Sequence, residues 1–166
     1  RAGPLFAGEA EQVSPDLMTI AKGLTAGYAP MGAVLMSEAV YAAIADGADP
    51  NTSIGHGFTY SGHPVSAAVG LEVLSLYLQG GILANGQARA PQLAAGLDML
   101  RDHPLVGDIR QAGMLAGLER VSDKVARTRF AAELGIADRL SQAAYRRNLI
   151  FRAFGDGTIG LAPALS

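Results

Sequence analysis

Ala21-Lys22-Gly23-Leu24-Thr25-Ala26-Gly27-Tyr28-Ala29-Pro30-Met31-Gly32-Ala33-Val34 contains one of only two lysines in a chain of 166 residues, the other being Lys124. The residues on either side decide how that lysine is presented. Before it, the apolar run 17–21 is short and bounded by Pro15 and by Lys22-Gly23, the pattern of a buried parallel strand. After it comes a loop with Gly27, Pro30 and Gly32, then a second apolar run over 33–36, so that two strands bracket the lysine. Partial burial beside a cofactor would disfavour its ammonium form and leave an amine free to form an imine with a carbonyl. A strand-end lysine can also snorkel to water or pair with an acid such as Asp16, and the flanking residues alone leave both uses open.

Working outward, Ser37 is a suitable N-cap for a helix reaching residue 46, with Val40, Tyr41 and Ile44 on one face and Gly47 as the stop. Residues 47–62 hold four glycines and one proline with little apolar periodicity, a long loop of the kind that carries function. Pro64 then opens a helix over 64–78. Its Val65, Val69, Leu71, Val73, Leu74, Leu76 and Leu78 are too many for one stripe, so burial on most sides is expected, with Gly80-Gly81 as the end. Residues 82–101 repeat Leu93, Leu97 and Leu100 at helical spacing, and Pro91 is expected to kink or split that helix. The pattern then changes to strands at 105–110 and 114–121 separated by Gly113, a helix over 136–148 with Ile136, Leu140 and Ala144 in register, and a hairpin-like pair at 149–154 and 158–162 joined by Gly155-Asp156-Gly157. This C-terminal portion reads as a small α+β unit.

Composition narrows the partners. A hydrophobic content of 49% suffices for one sizeable core or parts of two. The net charge of -2 and scattered arginines give no footprint for nucleic acid or an anionic membrane. The absence of cysteine excludes disulfides and thiolate chemistry within the chain and fits a reducing compartment. No run approaches the roughly 18 apolar residues that span a bilayer, and no apolar targeting segment follows the N-terminus, which makes the cytoplasm the default. His56, His63 and His103 lack metal-ligand spacing and read as loop and packing residues, so no metal site is expected. Asp156-Gly157 reads as a turn, and Arg146-Arg147 and Arg127-x-Arg129 as solvated faces. A Gly/Pro loop without an initiator Met at the start, and a strand-like run just before Ser166, suggest part of a longer protein.

Three ordered stretches resemble one family. The lysine segment, preceded by Pro15-Asp16-Leu17, is similar to that of the class III, or omega, aminotransferases. Arg1-Ala2-Gly3-Pro4-Leu5-Phe6-Ala7 resembles the family's Arg-Thr-Gly-x-x-Phe-Ala loop, with Ala2 in place of the threonine. Gly55-His56-Gly57-Phe58-Thr59-Tyr60-Ser61-Gly62-His63-Pro64 resembles its His-Gly-x-Thr-Tyr-Ser-Gly-His-Pro loop. Weaker matches, Val106-Gly107-Asp108-Ile109-Arg110 and Gly155-Asp156 through Pro163-x-Leu165, extend the likeness over nearly the whole chain.

The resemblance implies an α/β fold of type I for pyridoxal-phosphate enzymes. Residues 1–62 would be the C-terminal part of the large cofactor domain, 63–81 a connecting helix, and 82–166 most of the small domain. It implies pyridoxal 5'-phosphate as cofactor and Lys22 as its Schiff-base lysine and proton shuttle between substrate and cofactor carbons. Thr59, with the backbone around Phe58, would reach across a homodimer to the neighbouring cofactor's phosphate; Thr59 could instead hydrogen-bond its own loop. Arg152 would bind a substrate carboxylate and swing aside for a substrate without one; an ordinary strand-edge arginine is the alternative. The implied reaction moves an amino group from a small-molecule amine or omega-amino acid to an oxo acid such as pyruvate. An aminomutase or decarboxylase on the same scaffold, or a non-catalytic subunit whose glycine-rich loop and apolar helix serve dimerisation, would share these features. The family's acidic partner of the pyridine nitrogen, its ring-stacking aromatic and its Gly/Ser phosphate loop would lie upstream of Arg1, and its last helix beyond Ser166. The isolated chain is therefore expected to be inactive.

Overall fold

The computed structural model describes residues 1–46 and 57–166. The helix stop expected at Gly47, the loop from there to His56, and His56 itself lie outside the described residues. The chain forms two compact units, Glu11–Gly81 and a second made of Arg1–Ala10 with Ile82–Ser166.

A short helix, α1 (Ala7–Ala10), belongs to the second unit. The first unit opens with strands β1 (Leu17–Ile20) and β2 (Ala33–Met36), which pair antiparallel with Leu17 opposite Met36 and Ile20 opposite Ala33. The expected buried parallel strand is thus corrected on both counts. Parallel return needs a crossover of a dozen or more residues, usually a helix, and the link between β1 and β2 contains only a three-residue 3-10 turn, Lys22–Leu24. Leu17, Val34, Leu35 and Met36 are all exposed, whereas Met18 and Ile20 of β1 are half-buried, and among the described residues the pair forms a two-stranded sheet. Ser37 closes the hairpin and opens α2 (Glu38–Ala45): its N–H donates to the Asp16 carbonyl at 2.8 Å while its Oγ accepts the Val40 N–H.

Helix α3 (Pro64–Leu78) has the expected bounds, but the expected burial on most sides does not occur. Ser66, Gly70 and Val73 form its buried stripe, whereas Val65, Leu71 and Leu78 are exposed. The buried positions follow i, i+4, i+7 spacing and face the lysine turn, the element α3 packs on within this unit. Gly81, at φ 76°, follows the C-terminus in the left-handed region.

The second unit supplies the larger core. Helix α4 (Ile82–Asp98) runs through Pro91 as one element rather than splitting, although the proline cannot donate a hydrogen bond there. It packs on an antiparallel sheet of β3 (Val106–Ala112), β4 (Leu115–Arg120), β5 (Arg152–Ala153) and β6 (Ile159–Leu161), ordered β3-β4-β6-β5. Leu97, Val106, Ile109, Ala116 and Leu118 make the buried cluster, with Leu93, Ile159 and Leu161 against it. Leu100 lies beyond the helix end and is exposed. After a 3-10 turn at Ala132–Leu134, α5 (Ile136–Tyr145) buries Ala144 as its spacing predicts. The β3–β4 turn depends on Gly113: at φ 59° it seats the N-terminal loop so closely that a Cβ would stand 2.5 Å from the Arg1 carbonyl oxygen, which accepts the Met114 N–H at 2.7 Å. The Arg1 guanidinium also donates to the Ala162 carbonyl, and Gln87 to that of Gly3, so the loop is stitched at three points.

Candidate active site

Lys22 is the first residue of the 3-10 turn and stands in the left-handed region at φ 53°, immediately after the extended Ala21. This abrupt change of backbone direction turns the side chain out of the strand, and it is exposed. The alternative pairing with Asp16 is not made: the Asp16 carboxylate accepts the Ser37 hydroxyl at 2.9 Å, and the ion pairs found among the described residues involve Arg101 and Arg110.

The turn is held from behind. Thr25, only 2% exposed, donates its hydroxyl to the Ala29 carbonyl, and its N–H closes the turn on the Lys22 carbonyl at 3.3 Å. From α3, the Tyr77 hydroxyl donates to the Gly23 carbonyl at 3.0 Å. Gly70 lets the helix approach: a Cβ there would lie 3.4 Å from the Met31 sulfur and 3.7 Å from the Leu24 carbonyl oxygen. Thr25, Gly70 and Tyr77 escaped the sequence reading. The signal was present in part, since Ser66, Gly70, Val73 and Tyr77 fall at helical spacing, but the bulkier leucines and valines masked that stripe.

Phe58 and Thr59 are exposed on a compact loop. Ser61, not Thr59, supplies the loop's hydroxyl acceptor: its Oγ accepts the Phe58 N–H at 3.0 Å, and its own N–H donates to the Phe58 carbonyl at 2.9 Å. His63 Nδ1 caps α3 by accepting the Ser66 N–H at 3.4 Å, and His103 Nδ1 accepts the Leu105 N–H at 3.1 Å, which accounts for both histidines as structural acceptors.

Arg152 lies exposed on the outermost strand of the second unit's sheet, with its guanidinium carbon 5.2 Å from the centre of the Phe154 ring. The only other guanidinium seen over a ring among the described residues is that of Arg120, 5.2 Å from Phe130. Burial pushes the Arg120 guanidinium below its ordinary pKa.

A lysine amine displayed on an α/β scaffold has the chemistry that pyridoxal-phosphate-dependent enzymes require for their Schiff base. Within that class, the aminotransferase class-III family matches residues 1–166, and the chain belongs to it. A putrescine–pyruvate aminotransferase of Pseudomonas aeruginosa is 42% identical over 99% of this chain and 35% of its own length. An (S)-enantioselective omega-transaminase from Thermomicrobium roseum superimposes with a TM-score of 0.92 at 38% identity, covering 100% of this chain and 36% of that one. A PMP-bound aminotransferase from Vibrio fluvialis gives 0.88 at 30% identity, covering 99% and 36%. The chain thus has the α/β fold of type I and spans about a third of the length of the curated relatives it matches. Class III aminotransferases depend on pyridoxal phosphate.

Proposed function

We propose that the full-length protein transfers an amino group from an amine or omega-amino acid to an oxo acid such as pyruvate, using pyridoxal phosphate bonded to Lys22. The observation that carries this is the presentation of Lys22: an exposed primary amine, not engaged by Asp16, on a turn held by Thr25 and Tyr77. The donor set suits the cofactor, because it combines an amine that can condense with an aldehyde and, on Thr59, an exposed hydroxyl that can bond a phosphate oxygen. When bound, pyridoxal phosphate supplies the aldehyde carbon for that link and a ring that withdraws the electrons of a broken bond. Lys22 Nζ would hold it in place and, when released, would carry a proton from the carbon bearing the amine to the cofactor's former aldehyde carbon. Thr59 Oγ1 would bond the phosphate of the neighbouring subunit's site in a homodimer, beside the Phe58 backbone, whose N–H is engaged by Ser61 Oγ in this conformation. Support comes from the exposure of Thr59 and from Ser61, whose hydroxyl, rather than that of Thr59, accepts the Phe58 N–H. Arg152 binds the carboxylate of the oxo acid through paired N–H donors.

Domain roles follow the same reading. Residues 1–62 would complete the large domain, 63–81 connect, and 82–166 build the small one, although Arg1–Ala10 packs with the latter group. A cytoplasmic location accords with the cysteine-free sequence; some relatives are named mitochondrial or chloroplastic. Transamination is favoured over aminomutase or decarboxylase chemistry by the names of the relatives. The test is borohydride reduction of the full-length protein after addition of pyridoxal phosphate, followed by peptide mass spectrometry. The cofactor should be fixed on Lys22, and Lys22→Ala should carry none; fixation elsewhere, or none in the parent, overturns the reading.

A further inference from the structure

We infer that Phe154 is a positioning residue for Arg152 and sets the enzyme's preference for carboxylate-bearing acceptors, with Gly160 as the residue that makes room for it. The inference rests on the assignment of Arg152 to the substrate carboxylate. Three observations in the terminal hairpin carry it. Arg152 pairs directly across the sheet with Gly160, so no side chain stands opposite it. Phe154 is two residues further on and leaves the chain on the same side as Arg152. Its ring folds back over the glycine, so that a Cβ at Gly160 would lie 2.9 Å from Phe154 Cε2. An aromatic ring covering a cross-strand glycine in this way pins the register and fixes the ring.

The ring then serves as a platform. The Arg152 guanidinium carbon lies 5.2 Å from its centre, within the range of attraction between a cation and an aromatic face. Such contact uses the electron-rich face of the ring and leaves the in-plane N–H groups of the guanidinium available to a carboxylate. A long, mobile arginine therefore has a resting orientation with its donors still exposed. Less conformational freedom is lost when the carboxylate binds. A substrate without a carboxylate gains nothing from that order, so the platform acts on selectivity rather than on proton transfer. The turn between the strands supports the geometry, with the Phe154 N–H donating to the Thr158 carbonyl at 2.9 Å and the Gly157 N–H to the Phe154 carbonyl at 2.9 Å.

The experiment compares kcat/KM for pyruvate and for propanal, an acceptor lacking the carboxylate, in the full-length holoenzyme. Arg152→Gln should lower the pyruvate-to-propanal ratio by roughly tenfold or more. Phe154→Leu should lower it roughly threefold, through KM for pyruvate. Gly160→Ala should shift it the same way by displacing the ring, and Phe154→Tyr should restore the parent ratio. If Arg152→Gln lowers the ratio but Phe154→Leu and Gly160→Ala leave it unchanged, or depress both acceptors equally, the platform is refuted while the role of Arg152 stands. If Arg152→Gln itself leaves the ratio unchanged, the role of Arg152 fails and the platform with it.

Discussion

Lys22 combines two properties that a stability-driven sequence would separate: a bulky side chain and a φ of 53°. Outside glycine that conformation costs on the order of 1–2 kcal/mol, and here Thr25, Gly70 and Tyr77 hold it. The strain has a measurable signature. Lys22→Gly and Lys22→Ala both remove the amine, yet the glycine variant should be the more stable by about 1 kcal/mol, since only alanine retains the Cβ clash. Thermal unfolding of the two should separate their midpoints; equal midpoints would mean that the left-handed turn is not strained. That this lysine is one of two and sits between Ala21 and Gly23 was plain in the sequence, but those neighbours left both uses open, and only the three ordered stretches resembling the family singled it out. Its backbone conformation was not, because non-glycine residues at positive φ carry no compositional mark. Arg152 shows the converse: its type and place on a terminal strand were readable, but the ring beneath it depends on which residue lies across the sheet.

Elements were legible where periodicity was strong and blurred where partners decide the outcome. The bounds of α3 and β2 emerge directly from Pro64, the glycine pair after Leu78, and the apolar run at 33–36. Strand direction did not, since an apolar run looks alike in parallel and antiparallel sheets until its connection is known. Two predictions belong at this scale. Arg120, 8% exposed at the end of β4, has its charge over Phe130 and no carboxylate partner among the described ion pairs. Burying a charge without an ion partner is costly, so Arg120→Leu should stabilise the protein by about 1 kcal/mol, read as a rise in Tm of about 2–4 °C; a lower Tm would show that the ring contact outweighs desolvation. In the β5–β6 turn, the Thr158 N–H donates to Asp156 Oδ1 at 2.9 Å and holds that carboxyl below its ordinary pKa. Folding therefore favours the ionised form: the gain is complete above the unfolded carboxyl's pKa and is lost as pH falls through the lower folded value. Asp156→Ala should reduce Tm slightly at neutral pH and by less in strong acid, a difference that paired melts at the two pH values would reveal.

At the scale of the whole molecule, the chain carries a lysine turn, a hydroxyl-bearing loop and a candidate carboxylate site, while covering about a third of its relatives' length. The 166 residues by themselves should give no pyruvate-dependent transamination; turnover by this chain that disappears in Lys22→Ala would refute that. Among the described residues both strands of the β1–β2 pair are edges, and Val34, Leu35 and Met36 are exposed along one of them. Such a ribbon is a template for recruiting further strands. When the chain is produced alone, its first hazard is consequently self-association, with turbidity growing steeply with concentration. Leu35→Lys should suppress that turbidity by placing charge on the open ribbon, and undiminished light scattering by this variant would place the sticky surface elsewhere. The ribbon that flanks the Lys22 turn is thus also the part of the chain most open to misassembly.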